Sequence, residues 1–431
     1  MKFILLISLL AFIACDNYAV LVAGSNTWDN YRHQADVFHA YQILKSRGMK
    51  KENIIVFAYG DIHDNPQNPF PGVVVNWPNG WDVYGGVAID YWGDDVTPSN
   101  FIAVLTGDAS AVSIVDERTT GKVLTSTSED HVFIYFTDHG STNLIAFPYE
   151  YLYSDELNYA LQTMYDKQMY KELVFYLEAC ESGSMFEGQL PDNIKIYAMT
   201  AANPSESSWA EYCGSDAVVN GTNLETCLGD EYSVRWMEDI DSKTDDELKT
   251  YTFEDQYNYL VSAVTGSYVQ QYGDLNVAQI AIYYFFSDKT EKLLKIINQI
   301  AELFFPPIET RNLEERATQK IDNWKYRLEN LRLKAEKHND YESEKKYYEE
   351  VVEEGRTIKV FELFNRILEL PERNPEDKID FDCYRAVVNP YADRCGMFID
   401  RDFKFMRHIA NFCTKGIAPK EADLAFEKIC Q

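Results

Sequence analysis

Two short runs of β-branched and aromatic residues set the strongest limit on the fold of this chain. The first, residues 131–136, leads into Thr-Asp-His-Gly-Ser, which contains His139. The second, residues 173–177, leads into Glu-Ala-Cys-Glu-Ser-Gly-Ser, which contains Cys180. Such runs, bounded by turn residues, are typical of buried strands in a parallel sheet. Because an open α/β sheet carries its chemistry at the carboxyl ends of its strands, the pattern predicts a thiol and an imidazole on neighbouring strand ends, as a cysteine protease requires.

The first two thirds of the chain alternate apolar runs with amphipathic stretches, which is typical of βαβ units and predicts an α/β fold with a mostly parallel sheet. The predicted strands are residues 18–23, 54–59, 131–136, 173–177 and 194–199, and the first predicted helix is residues 34–47. Residues 65–92 are rich in Pro, Gly, Asn and Trp and predict a long ordered loop. Beyond Ser287 the stretches 291–304, 313–341 and 342–370 have few turn signals and predict a helical second domain.

The charge of the chain is strongly negative and unevenly distributed. The net charge of −29 argues against nucleic-acid binding, because a phosphate backbone would be repelled. Residues 1–286 carry 14 Lys and Arg against 40 Asp and Glu, whereas residues 287–431 carry 26 against 29. Nearly all of the net charge therefore lies on the part that contains the Cys and the His. Charge complementarity is expected to help hold the helical part on it.

The N-terminus indicates the cellular route. Residues 1–15 hold one lysine followed by a short apolar stretch, which is too short for a membrane span and predicts a secretory signal peptide. No other segment is long and apolar enough to span a bilayer, so we predict no integral membrane segment after signal removal. Asn220-Gly221-Thr222 is a sequon, and Asn220 is the predicted glycosylation site.

The cysteines predict three disulfides. The chain has eight cysteines, and setting aside Cys15 and Cys180 leaves an even number, as expected of a secreted chain. Sequence proximity favours the pairing of Cys213 with Cys227. The last four allow three pairings, and their spacing does not choose among them: Cys383, Cys395, Cys413 and Cys430.

The segments around His139 and Cys180 resemble the two signature segments of the legumains, which are asparaginyl endopeptidases of clan CD of the cysteine proteases. Segments 22–36, 200–208 and 228–233 also match. The resemblance implies a caspase-like, mostly parallel sheet flanked by helices, followed by an all-α prodomain. It divides the chain into a signal peptide (1–15), a catalytic domain (16–286), an activation peptide or linker (287–312) and a C-terminal prodomain (313–431).

The resemblance also implies a role for individual residues. Cys180 matches the nucleophile, His139 the general base and acid, and Asn30 the residue that orients the histidine. The backbone N–H groups of Gly140 and Cys180 match the oxyanion hole. The residues that match the pocket for the P1 side chain are Arg32, His33, Glu178, Ser207, Ser208 and Asp230. A guanidinium that donates and carboxylates that accept suit the amide of asparagine, and aspartate is expected to enter at acidic pH. No metal and no cofactor are predicted.

The expected activity is hydrolysis of peptide bonds after Asn through a thioester on Cys180. The resemblance implies a zymogen that is inhibited by its own prodomain and activates itself at acidic pH, in a lysosome- or vacuole-like compartment or after secretion. Asn312 is the predicted processing site, with Asn298 and Asp288 as weaker candidates. The implied pairings of the last cysteines are Cys383 with Cys413 and Cys395 with Cys430. Peptide substrates with Asn at P1 and cystatin-type inhibitors are the implied partners.

Alternative functions share parts of this pattern. A peptide ligase or transpeptidase uses the same residues and differs in how its rim controls water access. A non-catalytic interaction protein on the same scaffold is disfavoured because both Cys180 and His139 are present. A glycolipid-anchor transamidase would carry a C-terminal membrane span, and a metacaspase-like enzyme would have an acidic pocket for Arg or Lys, which Arg32 opposes.

Overall fold

A computed structural model describes residues 16–287, 328, 331–332, 341–371, 377–395 and 400–430. The strands are β1 (Asn17–Ala23), β2 (Ile54–Ala58), β3 (Tyr91–Trp92), β4 (His131–Thr137), β5 (Gly140–Ser141), β6 (Leu144–Ala146), β7 (Tyr151–Tyr153), β8 (Glu172–Glu178), β9 (Ile196–Thr200), β10 (Ala210–Glu211), β11 (Val218–Val219), β12 (Thr222–Asn223), β13 (Gly229–Asp230) and β14 (Gln270–Gly273). The helices are α1 (Tyr31–Ser46), α2 (Pro98–Leu105), α3 (Ser154–Asp166), α4 (Glu231–Asp241), α5 (Asp245–Leu248), α6 (Phe253–Ala263), α7 (Tyr283–Phe286), α8 (Tyr341–Ile367), α9 (Phe381–Cys395), α10 (Met406–Phe412) and α11 (Pro419–Ile429).

A seven-stranded sheet forms the centre of the α/β part, which we define as residues 16–287. Its strand order is β14-β9-β8-β4-β1-β2-β3. All neighbouring strands are parallel except β14, which runs antiparallel to β9. Residues of β4 alternate between two apolar cores, with Phe133 and Tyr135 in one and Val132, Ile134 and Phe136 in the other. A strand that is buried on both faces reads as a continuous apolar run, which is why the sequence marked it so clearly.

The predicted fold class is confirmed, with shifts at the ends of elements. The helix that was predicted to begin at Gln34 begins at Tyr31. Its first turn was not predicted because Arg32 and His33 are polar residues that are buried rather than solvated. The strand predicted to start at residue 194 starts at Ile196, and that predicted to end at residue 59 ends at Ala58. The loop predicted over residues 65–92 contains no helix or strand up to residue 90, but its last two residues, Tyr91 and Trp92, form β3 and pair with β2.

The helical part, which we define as the described residues from 341 to 430, has an apolar core to which a few residues of the α/β part also contribute. Its longest helix, α8, closely matches the predicted stretch 342–370. Among the described residues, no helix has both the length and the apolar character needed to cross a membrane. Several predictions lie outside the described residues: the signal peptide, the stretch 291–304, most of 313–341, and the processing sites Asp288, Asn298 and Asn312.

Candidate active site

The register of the sheet brings the histidine and the cysteine to the same edge. Thr137, the last residue of β4, lies opposite Glu178, the last residue of β8. His139 lies two residues after Thr137, and Cys180 lies two residues after Glu178. Both therefore follow the carboxyl ends of adjacent strands at the same level of the sheet. Cys180 is the only free cysteine among the described residues, since the other six described cysteines are paired.

Gly140 lies directly against the cysteine segment. A β-carbon at this position would be 2.7 Å from the carbonyl oxygen of Cys180 and 3.0 Å from the β-carbon of Ala179. The first distance is shorter than β-carbon contacts allow and the second is tight, so glycine is needed for the backbone after His139 to approach this closely. The backbone predicted to stabilise an oxyanion is therefore next to the thiol-bearing residue.

Asn30 holds the imidazole in one orientation. The Nε2 of His139 lies 2.9 Å from the Oδ1 of Asn30. Since an amide oxygen only accepts, Nε2 carries the proton and Nδ1 is the basic nitrogen of the neutral ring. Asn30 is itself fixed, because its Nδ2 donates to the carbonyl of Asn26 at 3.2 Å and its side chain is buried.

The thiol is neutral in this covered arrangement. Burial and, less strongly, the charge of Glu181 raise the pKa of Cys180 to about 11, although hydrogen bonds with Ser207 and Ser208 lower it. The Sγ lies 3.8 Å from the carbonyl oxygen of Ser208. The two serines predicted for the pocket therefore lie beside the thiol. Thiolate formation requires a base or a change of surroundings.

A buried arginine and its carboxylate form the charged part of the pocket. The Nε of Arg32 donates to the Oδ1 of Asp230 at 2.8 Å, and each side chain is only 5% exposed. A second guanidinium nitrogen lies 3.3 Å from the Oδ1 of Asn30. The predicted pocket and the predicted catalytic pair therefore share one hydrogen-bonded network.

Glu178 supplies a second carboxylate to this pocket. Its Oε2 accepts from the backbone N–H and the hydroxyl of Ser233, at 3.1 and 3.0 Å. Its Oε1 is buried and accepts no hydrogen bond from the described residues. Burial, together with the charge of Asp230, holds the pKa of Glu178 well above its ordinary range. This oxygen is available to a donor that a substrate brings.

His33 lies between the pocket and the catalytic pair. Its ring is edge-on to that of His139, with centroids 5.1 Å apart. Its Nδ1 lies 3.1 Å from Asp138 and 2.6 Å from the hydroxyl of Ser25, while its Nε2 is 3.5 Å from Asp230. Burial and the charge of Arg32 lower the pKa of His33 well below its ordinary value, so the ring is neutral.

Asp36 and Asn76 support Asp230 from behind, and neither was predicted from the sequence as part of the site. Asp36 is fully buried and accepts from the backbone N–H of Asp230 at 3.2 Å and from the side chain of Asn76 at 2.7 Å. Burial and the charge of Asp230 raise the pKa of Asp36. A usable signal existed, because Asp36 follows Arg32 by four residues and so lies on the same face of α1.

The helical part covers this site. The ring of Phe403 stacks on His139 with centroids 5.7 Å apart and planes 14° from parallel. The guanidinium of Arg407 lies 2.7 Å from the carboxylate of Glu181, whose side chain is 3% exposed. One residue of the helical part thus contacts the imidazole, and another pairs with the residue that follows the cysteine.

Contacts beside the site anchor this cover. Arg385 donates to both carboxylate oxygens of Asp155, at 2.7 and 2.8 Å. The hydroxyl of Tyr384 donates to the carbonyl of Thr142 at 3.2 Å. Leu144 and other apolar residues of the α/β part share one core with the apolar residues of the helical part. Ion pairs of the expected sign therefore contribute, together with apolar burial.

The disulfides follow the expected pairing. Cys213 is bonded to Cys227, Cys383 to Cys413, and Cys395 to Cys430. The last two bonds have the arrangement that the resemblance implied and that spacing alone left open. Asn220 is exposed in the turn between β11 and β12, where a glycan would have room, and its glycosylation stays a prediction.

Comparison with known families accounts for both parts of the chain. The model of the peptidase C13 family matches residues 17–289, and the model of the legumain prodomain matches residues 365–430. Among solved structures, caspase-1 from Spodoptera frugiperda covers 60% of this chain and 87% of its own, with a TM-score of 0.35 and 10% identity.

Named relatives match over most of the chain. A vacuolar-processing enzyme from Vicia sativa is 39% identical over 438 residues, which cover 96% of this chain and 85% of that protein. A legumain from Mus musculus is 38% identical and covers 96% of this chain and 92% of its own. The legumain from Homo sapiens is 51% identical over 269 residues, which cover 62% of this chain and 59% of that protein. Because the family model spans more than half of the residues, the chain belongs to the peptidase C13 family of cysteine endopeptidases and carries a legumain prodomain.

Proposed function

We propose that this endopeptidase cleaves after asparagine. The observation that carries the proposal is the buried Arg32–Asp230 pair beside Glu178, whose Oε1 accepts no hydrogen bond from the described residues. An asparagine side chain needs a donor for its oxygen and acceptors for its NH₂, and this pocket offers both. A buried polar site of this kind rejects side chains that leave its groups unpaired.

The chemistry is nucleophilic acyl transfer. Nδ1 of His139 takes the proton of the Cys180 thiol, and the sulfur attacks the carbonyl carbon of the P1 residue. The N–H groups of Gly140 and Cys180 stabilise the negative oxygen of the tetrahedral intermediate. The imidazolium then gives its proton to the leaving amine, which leaves a thioester on the sulfur. A water molecule activated by the same ring hydrolyses the thioester and releases the thiol.

Paired peptides that differ only in Asn or Asp at P1 test the specificity. After acid treatment of the full chain, cleavage after Asn is expected across pH 4–7. Cleavage after Asp is expected to fall by about tenfold for each pH unit above about 5, because a free Asp carboxyl titrates near 3.9 and its anion is repelled by the carboxylate of Asp230. The measurement is kcat/KM for both peptides at each pH. Cleavage after Arg in place of Asn would refute the proposal.

The second part of the proposal is that the helical part keeps the enzyme latent until acid releases it. Two contacts support latency. Phe403 covers the imidazole of His139, and Arg407 pairs with Glu181. Carboxyl groups of Asp and Glu ordinarily titrate near about pH 4. As the pH falls toward this range, the α/β part loses negative charge and its attraction to Arg407 and Arg385 weakens, so release is favoured on the acidic side.

A single arginine tests this latency. Replacing Arg407 by glutamine is expected to raise the activity of the uncut full chain at pH 6 by about tenfold or more, because the helical part loses its charged contact with Glu181 beside the cysteine. The matched control is Arg394→Gln, since Arg394 is similarly exposed and pairs with Asp423 inside the helical part. Peptide hydrolysis is measured while a gel shows that the chain is intact. Equal activity of both variants and the unmodified chain would contradict the role of Arg407.

The proposed release of the helical part at acidic pH supports an enzyme that is active in an acidic compartment. The relatives named vacuolar-processing enzyme and legumain match nearly the whole chain, and the former name refers to a vacuole. We therefore place the active enzyme in a lysosome- or vacuole-like compartment. Co-fractionation of the processed chain with a neutral organelle, and not with acidic ones, would exclude this location.

A further inference from the structure

Thr27 has a backbone conformation that threonine rarely adopts. Its φ is 74° and its ψ is 160°, a combination found essentially only in glycine. A branched β-carbon makes a positive φ especially unfavourable. The side chain is exposed and makes no capping hydrogen bond. The conformation is therefore held by groups that contact the backbone of Thr27.

Asp61 supplies that contact. Its Oδ2 accepts from the backbone N–H of Thr27 at 2.7 Å. Its other oxygen, Oδ1, accepts from the Nε2 of Gln34 at 2.7 Å. Gln34 is fully buried in α1, and its Oε1 accepts from the backbone N–H of Gly60 at 2.9 Å. A carboxylate oriented by a buried amide thus holds the strained residue through a charge-assisted hydrogen bond.

The strained residue begins the turn that carries Asn30. The carbonyl of Thr27 accepts from the backbone N–H of Asn30 at 3.2 Å. The next residue, Trp28, is buried, and its indole N–H donates to the carbonyl of Leu224 at 3.0 Å. The turn is therefore fixed at both ends. The Oδ1 of Asn30, which bonds to His139, projects from this turn.

We propose that Asp61 is a positioning residue for catalysis. Its carboxylate holds Thr27 in the strained conformation, and this conformation sets the amide of Asn30 against the imidazole of His139. Without the carboxylate, the turn relaxes toward a conformation that threonine prefers, and the Asn30 amide shifts from the ring. The inference rests on the proposed roles of Asn30 and His139.

The proposal predicts a specific rescue. Asp61→Ala is expected to lower kcat by about 10- to 100-fold, as for small misplacements of catalytic groups, with KM changed by less than about threefold. Thr27→Gly alone is expected to be close to the unmodified enzyme, because glycine adopts this conformation without steric cost. In the double variant, kcat is expected to recover to within about threefold of the unmodified enzyme, since the strain that Asp61 opposes is gone.

The assay uses the full chain after acid activation, with rates normalised to titrated active sites. Asp64→Ala is the control, because it removes an exposed carboxylate from the same loop and is expected to leave kcat unchanged. An unchanged kcat in Asp61→Ala, or a double variant no better than Asp61→Ala, would overturn the proposal. If Asp61→Ala does not fold, the same comparison is made between Asp61→Asn and the double variant that combines Asp61→Asn with Thr27→Gly. His139→Ala separates the two ideas: activity in that variant refutes the proposed mechanism, whereas its inactivity with a silent Asp61→Ala refutes only the positioning role.

Discussion

Replacing Cys180 by alanine is expected to reduce hydrolysis of Asn peptides by about 10⁴- to 10⁶-fold, as for the loss of a nucleophile in other acyl-transfer enzymes. We propose that the sulfur of Cys180 forms the thioester, and no other free cysteine is present among the described residues. The measurement is the hydrolysis rate of one Asn peptide at pH 5, with the concentration of each protein determined by absorbance.

The variant also separates catalysis from folding. All three disulfides are retained, so the thermal midpoint should change little. At pH 4.5 the variant alone should stay uncut, whereas a trace of processed unmodified enzyme should cleave it. Residual activity within about a hundredfold of the unmodified enzyme would mean that the nucleophile lies elsewhere.

Replacing Arg32 by glutamine is expected to lower kcat/KM for Asn peptides by about 10⁴- to 10⁵-fold, the range over which a buried hydrogen-bonding site discriminates. The guanidinium is the donor proposed for the P1 oxygen, and it also pairs with Asp230. Loss of a buried pair costs about 3–5 kcal/mol of stability, so unfolding must be measured in parallel.

Two controls separate the pocket from the catalytic pair. Arg47→Gln removes another ion pair next to the same helix, with Asp245, and should leave peptide selectivity unchanged. The rate of Cys180 alkylation by iodoacetamide needs no P1 pocket and should stay within about threefold in Arg32→Gln if Asn30 and His139 keep their geometry. A folded Arg32→Gln enzyme that cleaves Asn peptides normally would remove Arg32 from the specificity site.

Local sequence patterns predicted the elements whose burial is regular. Strands β4 and β8 each have an unbroken apolar interior between polar end residues, so their positions were predicted to within one residue. Strand β14 was missed, because Gln270–Gly273 is half-buried and polar and has no alternating pattern. The first turn of α1 was missed because its polar side chains are buried by partners remote in sequence.

The cover over the site had no local signal. Phe403 and Arg407 occur in an ordinary helical sequence, and neither differs in pattern from its neighbours. Their roles come from the packing of the helical part on the carboxyl edge of the sheet. Asp61 is a similar case, since its proposed role follows from the conformation of Thr27 and no composition rule would select it.

The sequence by itself determined that a cysteine and a histidine end neighbouring strands of a parallel sheet, because burial on both faces leaves an unbroken apolar run that can be read locally. The tertiary structure alone decided which polar groups meet there. Arg32 and Asp230 are 198 residues apart, and His139 and Asn30 are 109 apart. Pairs at such separations are brought together by the register of the sheet and the packing of α1 upon it, and short-range periodicity carries no information about those contacts.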